Sequence, residues 1–178
     1  MRKFTQSYKN NDDGVAAIEL AFVILPLTYL IIGIIEIALM FTSSIVLEGA
    51  TSDAARLVRV GQVQQAASAS DGQDLFEQAL CNTMSILADC ADIEYEVITL
   101  DAGFGGAAGN TANFDNEGAF QSQGFNAGGV SDVVLIRAVY KYPLKTPIIS
   151  QFFQDNSDGT RLMISTVVLQ TEPYDFED

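Results

Sequence analysis

The 178 residues include 23 acidic and 9 basic side chains, which gives a formal net charge of −14. After residue 41 the chain contains six basic and nineteen acidic residues. So acidic a surface repels a polyphosphate backbone, and we therefore expect no nucleic-acid partner. The chain has no histidine, the commonest general base and metal ligand, so we expect no enzyme, no cofactor and no metal site. The alternative class of function is an exported enzyme that uses carboxylates such as Asp155 and Asp158.

The N-terminal region contains an apolar run of membrane length. Residues 15–41 are long enough to span a bilayer core about 30 Å thick, which needs about 20 helical residues. Glu19 lies just inside this run, where an ionised carboxylate is unfavourable by about 2.5–3.5 kcal/mol. A residue with that cost is a candidate functional residue. Glu36 falls near the far end of the run, and we expect it to be a solvated carboxylate at the membrane interface.

The charges that flank the run predict its orientation. Three basic residues precede it and the next one after it is Arg56, so the positive-inside rule keeps the N-terminus in the cytoplasm. We therefore expect a single-pass membrane protein with its N-terminus in the cytoplasm and the rest of the chain on the other side. The predicted organisation is a cytoplasmic leader at 1–14, a transmembrane helix at 15–41, a periplasmic helical region at 42–90 and a β region at 91–178.

Helical spacing continues beyond the membrane. Apolar residues recur at intervals of three and four up to Val58, which predicts that the first helix extends into the periplasm. A polar stretch that reaches Gln73 is expected to be its end. A second helix is predicted to begin near Asp74, because an apolar stripe follows there: Leu75, Phe76, Ala79, Leu80 and Met84.

Cys81 and Cys90 are the only two cysteines. In an oxidising periplasm such a pair favours a disulfide, and without histidine it makes a poor zinc site. Cysteines nine apart lie on opposite sides of a straight helix, so we expect the chain to turn between them, around residues 86–90.

The C-terminal half has the alternation and branched residues of β-strands at 93–100, 132–142 and 161–170. These runs predict an antiparallel sheet packed on the extended helix, and therefore an α+β fold. Glu94 and Glu96 are expected on its solvent face. The glycine-rich region 101–129 is expected to be a long surface loop held in place by occasional aromatic residues, with an exposed recognition loop as the alternative. Residues 156–159 are expected to form a turn before the last strand.

Gly14 ends the polar leader, and Glu19 is the fifth residue after it. This arrangement resembles the processing site of type IV prepilins. The chain as a whole is similar to TadE-like pseudopilins of the tight-adherence (Flp) pilus system. The similarity is carried by GVAAIELAFVILPL at 14–27 and ATSDAARLVRVGQVQ at 50–64, with weaker echoes at 76–90, 133–144 and 169–174. The similarity includes TadF, the partner protein of TadE, and does not separate a TadE role from a TadF role.

The resemblance implies a location in the bacterial inner membrane with a periplasmic domain, a function and a set of partners. Prepilin peptidase would cut after Gly14 and leave Val15 as the first residue of a minor pilin. Glu19 would then pair with the freed amino group of Val15 on an adjacent subunit during pilus assembly. The implied partners are the peptidase, the major Flp pilin, companion minor pilins, the inner-membrane assembly platform and membrane lipid. The alternatives are an uncleaved periplasmic adaptor and a minor pseudopilin of type II secretion.

Overall fold

The computed structural model describes residues 13–155 and 158–173, and its first element is a 47-residue helix, α1, from Asp13 to Arg59. The helix runs through Pro26 without interruption. The predicted continuation of the first helix past residue 41 is therefore confirmed, since both parts belong to one continuous helix. Most of the predicted leader (1–12), Asn156 and Ser157 of the predicted turn, and residues 174–178 lie outside the described residues.

Helix α1 ends in a glycine-capped turn. Gly61 has a φ of +79°, and the N–H groups of Gly61 and Gln62 donate to the carbonyls of Val58 and Leu57 at 3.2 and 3.0 Å. This is the Schellman arrangement, which requires a left-handed residue just after the helix and so favours glycine. The expectation that the helix end extends to Gln73 was wrong, because this turn stops α1 earlier.

The second helix, α2, spans Ala69–Met84 and begins five residues before the predicted start at Asp74. Its N-cap is Ser68, whose hydroxyl accepts a hydrogen bond from the backbone N–H of Asp71 at 3.2 Å. A serine here satisfies a backbone donor that the helix itself leaves free. The predicted apolar stripe is largely correct, since three of its members are fully buried: Phe76, Leu80 and Met84.

Three antiparallel strands form the sheet in the order β1 (Ile93–Thr99), β2 (Val133–Pro143) and β3 (Thr160–Gln170). The register places Val97 opposite Ile136 and Ile136 opposite Val167. A 3-10 turn at Cys90–Asp92 leads into β1. Two short helices, α3 (Phe104–Ala107) and α4 (Pro147–Phe153), lie before and after β2. The predicted α+β fold is confirmed.

One face of the sheet packs on the helices and forms the main core. From α1 and α2 this core takes Leu47, Ala54, Val58 and Phe76, and from β2 it takes Ile136, all nearly inaccessible to solvent. The alanine on α1 leaves room for the sheet to approach the helix closely. A core on this face is what the alternating apolar positions of the strands predict.

The second face of the sheet is covered where β1 and β2 lie, contrary to the alternation pattern, while Ile164 and Thr166 of β3 on that face are exposed. Glu96 and Arg137 lie opposite each other on β1 and β2, are buried, and form an ion pair. Arg137 Nη2 donates to the carbonyl of Asn110 at 2.6 Å, and the N–H of Gln123 donates to Glu96 Oε2 at 3.0 Å. The expectation that Glu96 faces solvent was wrong, because the chain at 101–129 folds back over this face.

The region 101–129 also extends the sheet at its outer edge. The N–H of Val97 donates to the carbonyl of Gly124 at 3.0 Å, and Asn126 donates to the carbonyl of Val97 at 2.6 Å. Phe120 is buried, and the Phe125 ring lies 5.5 Å from that of Phe76. Aromatic side chains thus hold this region on the domain, as predicted, and its backbone adds two hydrogen bonds to the edge of β1.

Candidate functional site in helix α1

Helix α1 consists of two parts with opposite surroundings. Every residue from 15 to 32 is exposed, including large apolar side chains such as Phe22, which is 76% exposed. From Gly33 onward, one face of the helix is buried against the domain at helical intervals: Gly33, Glu36, Met40, Ser43, Leu47, Ala50, Ala54 and Val58. We call residues 15–32 the free part and residues 33–59 the docked part.

The free part has the dimensions of a membrane span. Its eighteen residues rise about 27 Å at about 1.5 Å each, close to a hydrocarbon core of about 30 Å. Within residues 13–155 and 158–173, α1 is the helix that is long and apolar enough to cross a membrane. By length and composition it is therefore suited to a single membrane crossing.

The predicted processing and assembly residues lie at the start of this helix. Gly14 and Val15 fall in the first turn of α1, and Glu19 follows one turn after Val15, about 6 Å further along the axis. The Glu19 side chain is exposed and makes no hydrogen bond or ion pair with any described residue. The free part of α1 is thus an apolar helical segment with one carboxylate, and this carboxylate has no partner among the described residues.

Glu36 marks the point where α1 meets the domain. Its carboxylate accepts hydrogen bonds from the backbone N–H of Thr146, at 3.1 and 2.9 Å to its two oxygens, and from the N–H of Lys145. Glu36 is 6% exposed, so the expectation of a solvated interfacial carboxylate was wrong. Backbone donors replace water around the charge, which offsets the cost of burying it.

Glu36 and Gly33 together hold helix α4 against α1. Thr146 is the N-cap of α4 and Pro147 its first residue, so the Glu36 carboxylate sits at the start of that short helix. One turn earlier on α1, a Cβ added to Gly33 would lie 3.3 Å from Ile149 Cδ1. Sequence reasoning missed α4, although a threonine followed by proline is a helix-start signal.

Cys81 and Cys90 form a disulfide with a Cα–Cα distance of 5.3 Å. Helix α2 ends at Met84, and the N–H groups of Leu87 and Ala88 donate to the Met84 carbonyl at 2.9 and 3.0 Å. The chain therefore turns between the cysteines as the spacing required. Glu77 lies beside the two sulfurs, but sulfurs bonded to each other are not thiolate ligands, so this cluster offers no metal site.

A network around Tyr95 links α2 to β1. The Tyr95 hydroxyl donates to Glu77 Oε2 at 3.0 Å and accepts from Gln73 Nε2 at 3.0 Å. Burial raises the pKa of the Tyr95 phenol, and the nearby Glu77 carboxylate raises this pKa further, while the Gln73 hydrogen bond opposes the rise. The Tyr95 ring also contacts that of Phe76. This arrangement serves to pack the two elements together.

The N-terminal helix matches a known family. Residues 14–56 fit the family model described as TadE-like protein. This segment is TadE-like. The match covers the free part of α1 and all but the last three residues of the docked part. The TadE-like segment therefore includes both Glu36, the residue that docks α4, and Glu19, which has no partner among residues 13–155 and 158–173.

The comparisons end at that segment. Among curated proteins and solved structures, none matches the chain significantly. The weaker similarities at 76–90, 133–144 and 169–174 lie beyond the matched residues and stay predictions. The likeness to the family thus belongs to the helix.

Proposed function

We propose that this protein is a minor pilin of a tight-adherence (Flp) pilus, made as a prepilin and assembled through the free part of α1. One observation carries the proposal. A TadE-like helix presents eighteen consecutive exposed residues, apolar but for a few, with one carboxylate, Glu19, that has no partner among the described residues. Such a surface needs either lipid or other helices to cover it.

Before assembly, lipid covers the free part. The basic leader residues Arg2, Lys3 and Lys9 favour a cytoplasmic N-terminus, which directs the sheet domain to the periplasm. The disulfide fits that oxidising compartment. The role is structural rather than enzymatic.

Cleavage by the peptidase would create a partner for Glu19. Cleavage after Gly14 by prepilin peptidase would create a positively charged amino group on Val15 at the membrane edge. A neighbouring subunit that brings its Glu19 to this amino group removes two uncompensated charges from an apolar environment at once. The ion pair would also define the axial register between subunits, which are the major Flp pilin and companion minor pilins at the assembly platform.

The experiment has two readouts, processing and assembly. The protein is expressed in its native host, its N-terminus is sequenced from membranes, and pili are counted in strains that carry Glu19→Ala. We expect a mature chain that begins at Val15 in both wild type and variant, and loss of assembly in the variant. The matched control is Glu48→Ala, an exposed carboxylate on the docked part of the same helix, which should leave both readouts unchanged.

The two readouts separate the competing functions. A chain that still begins at Met1 in a host with active peptidase would replace the pilin by an uncleaved periplasmic adaptor. Correct cleavage with normal assembly of Glu19→Ala would disprove the role given to this carboxylate. The TadE-like match favours the tight-adherence system over type II secretion.

A further inference from the structure

We propose that helix α4 and the basic residues around it form a second membrane contact, in the phospholipid headgroup region beside the point where α1 leaves the bilayer. The inference rests on the proposed membrane anchoring of α1. We call the surface the α4 rim and define it by four side chains: Lys141, Lys145, Phe152 and Arg161. Its occupant is the lipid bilayer.

The position of α4 along α1 is the first support. The free part ends at residue 32, and α4 touches α1 at Gly33 and Glu36, directly after it. Because the free part is about as long as the hydrocarbon core is thick, α4 falls at the boundary between acyl chains and headgroups. The helix begins at the Glu36 level with Thr146 and reaches the Gly33 level at Ile149, so it descends toward the bilayer.

The second support is an exposed aromatic side chain on this short helix. Ile149 and Phe153, four residues apart, face the domain: Ile149 lies at Gly33, and Phe153 packs on the core. Phe152 lies outside that face and is 77% exposed. A phenyl ring at this level is suited to the upper acyl region, where the apolar faces of interfacial helices penetrate about 5–10 Å.

The third support is the distribution of positive charge. Residues 42–178 contain six basic side chains, and three of them lie on the α4 rim: Lys141, Lys145 and Arg161. Lys145 is exposed, and the other two are partly exposed. Of the remaining three, Arg137 is buried in its ion pair and the others lie at the far end of α1. An otherwise acidic domain thus turns positive charge toward the level of anionic headgroups.

Acidic side chains on the same surface reduce this charge. Asp155 and Asp158 are exposed there, and Asp155 pairs with Arg161 at 3.3 Å. The hydrogen bond from Thr160 lowers the pKa of the Asp158 carboxyl, and Lys141 lies near enough to lower it further. Lys145 interacts electrostatically with the buried Glu36 carboxylate. It is the most exposed basic side chain of the rim and therefore the one best placed to meet a phosphate.

Tryptophan fluorescence tests the contact, because the wild-type chain contains no tryptophan. Three full-length variants each carry a single reporter: Phe152→Trp on the rim, Phe22→Trp in the free part and Phe104→Trp as the matched control. Phe104 is 57% exposed and follows the far end of β1, about 33 Å from the α4 end of the sheet. Each variant is placed, one chain per disc, in nanodiscs whose anionic phospholipids are brominated near the top of the acyl chains.

Bromine quenches an indole only at short range, so quenching reports insertion. We expect the emission of both Phe22→Trp and Phe152→Trp to fall by about half, with that of Phe104→Trp unchanged. Quenching of Phe22→Trp without quenching of Phe152→Trp would overturn the rim contact and leave the anchor intact. Absence of quenching in Phe22→Trp would overturn the anchor and the rim together.

Lipid charge tests the basic residues separately. In nanodiscs of zwitterionic lipid that is brominated at the same acyl positions, we expect weaker quenching of Phe152→Trp and unchanged quenching of Phe22→Trp. Equal quenching of Phe152→Trp in both lipids would overturn the assignment of the basic side chains to anionic headgroups.

Discussion

The buried ion pair between Glu96 and Arg137 predicts a large and specific loss of stability when Arg137 is replaced by methionine. The side chains are 1% and 4% exposed, so neither charge is compensated by bulk water. Arg137→Met introduces an apolar side chain of similar length and leaves Glu96 with one hydrogen bond, from the N–H of Gln123. It also removes the hydrogen bond that Arg137 Nη2 donates to the carbonyl of Asn110.

The expected magnitude follows from burial. Breaking a buried pair by removing one partner costs about 3–5 kcal/mol, because an uncompensated charge is left inside. Replacing both residues, as in Glu96→Leu with Arg137→Met, should recover most of that loss, since no charge then remains buried. Gln123 is exposed and Asn110 half-buried, so water can take over their backbone hydrogen bonds in the double variant.

The assay is chemical denaturation of the full chain in detergent micelles, followed by the near-ultraviolet circular dichroism of its tyrosines. The matched control is Arg161→Met, which removes the exposed partner of Asp155 and should cost less than about 1 kcal/mol. Hydrogen exchange at residues 110–123 should increase in Arg137→Met and not in the control. If Arg137→Met and Arg161→Met lost the same free energy of unfolding, the reasoning from burial would be refuted.

Three further predictions concern stability and use the same denaturation assay. Gly72→Ala would place a Cβ 2.4 Å from a backbone oxygen and should cost about 1–3 kcal/mol, whereas Gly49→Ala, with open space around it on α1, should gain about 0.5–1 kcal/mol; equal effects would contradict the packing. Replacing Cys81 and Cys90 by serine opens a short loop and should cost about 2–3 kcal/mol, and a wild-type free energy in this variant would rule out a stabilising disulfide. The raised pKa of Tyr95 means that the folded state keeps its proton where the unfolded state loses it, above about pH 10. Its contribution is therefore complete below that pH and is lost as pH rises through the folded pKa, so Tyr95→Phe should flatten the decline of stability at high pH, and an unchanged slope would count against the raised pKa.

The strands and the membrane-length helix were predictable because their signals are local. Apolar periodicity and branched residues placed the three strands within one residue of their observed bounds. The start of α2 was missed, although Ser68 is a recognisable cap, because the polar residues after it hid the helix period. The Schellman turn at Gly61 was not predicted, because a glycine inside a helical pattern is compatible both with a weakened helix and with the end of the helix.

The buried charges could not be predicted from local pattern. Glu96 occupies a position in β1 that alternation assigns to solvent, and its burial depends on residues 110–123 folding over that face. Glu36 behaves in the same way, because its backbone donors come from residues more than a hundred positions away. A carboxylate is identified as solvated or satisfied only when its distant partners are known.

The sequence by itself determined the α+β class, the apolar helix with its unusual carboxylate, the cysteine pair and the three strands, since each depends on residues close together in the chain. Tertiary structure alone decided where the free part of α1 ends, because Gly33 and Glu36 are buried against the segment that contains Lys145, Thr146 and Ile149. It likewise decided that the second face of the sheet is covered over β1 and β2. The physical reason is that burial and hydrogen bonding are set by contacts between segments far apart in sequence, which no local periodicity encodes.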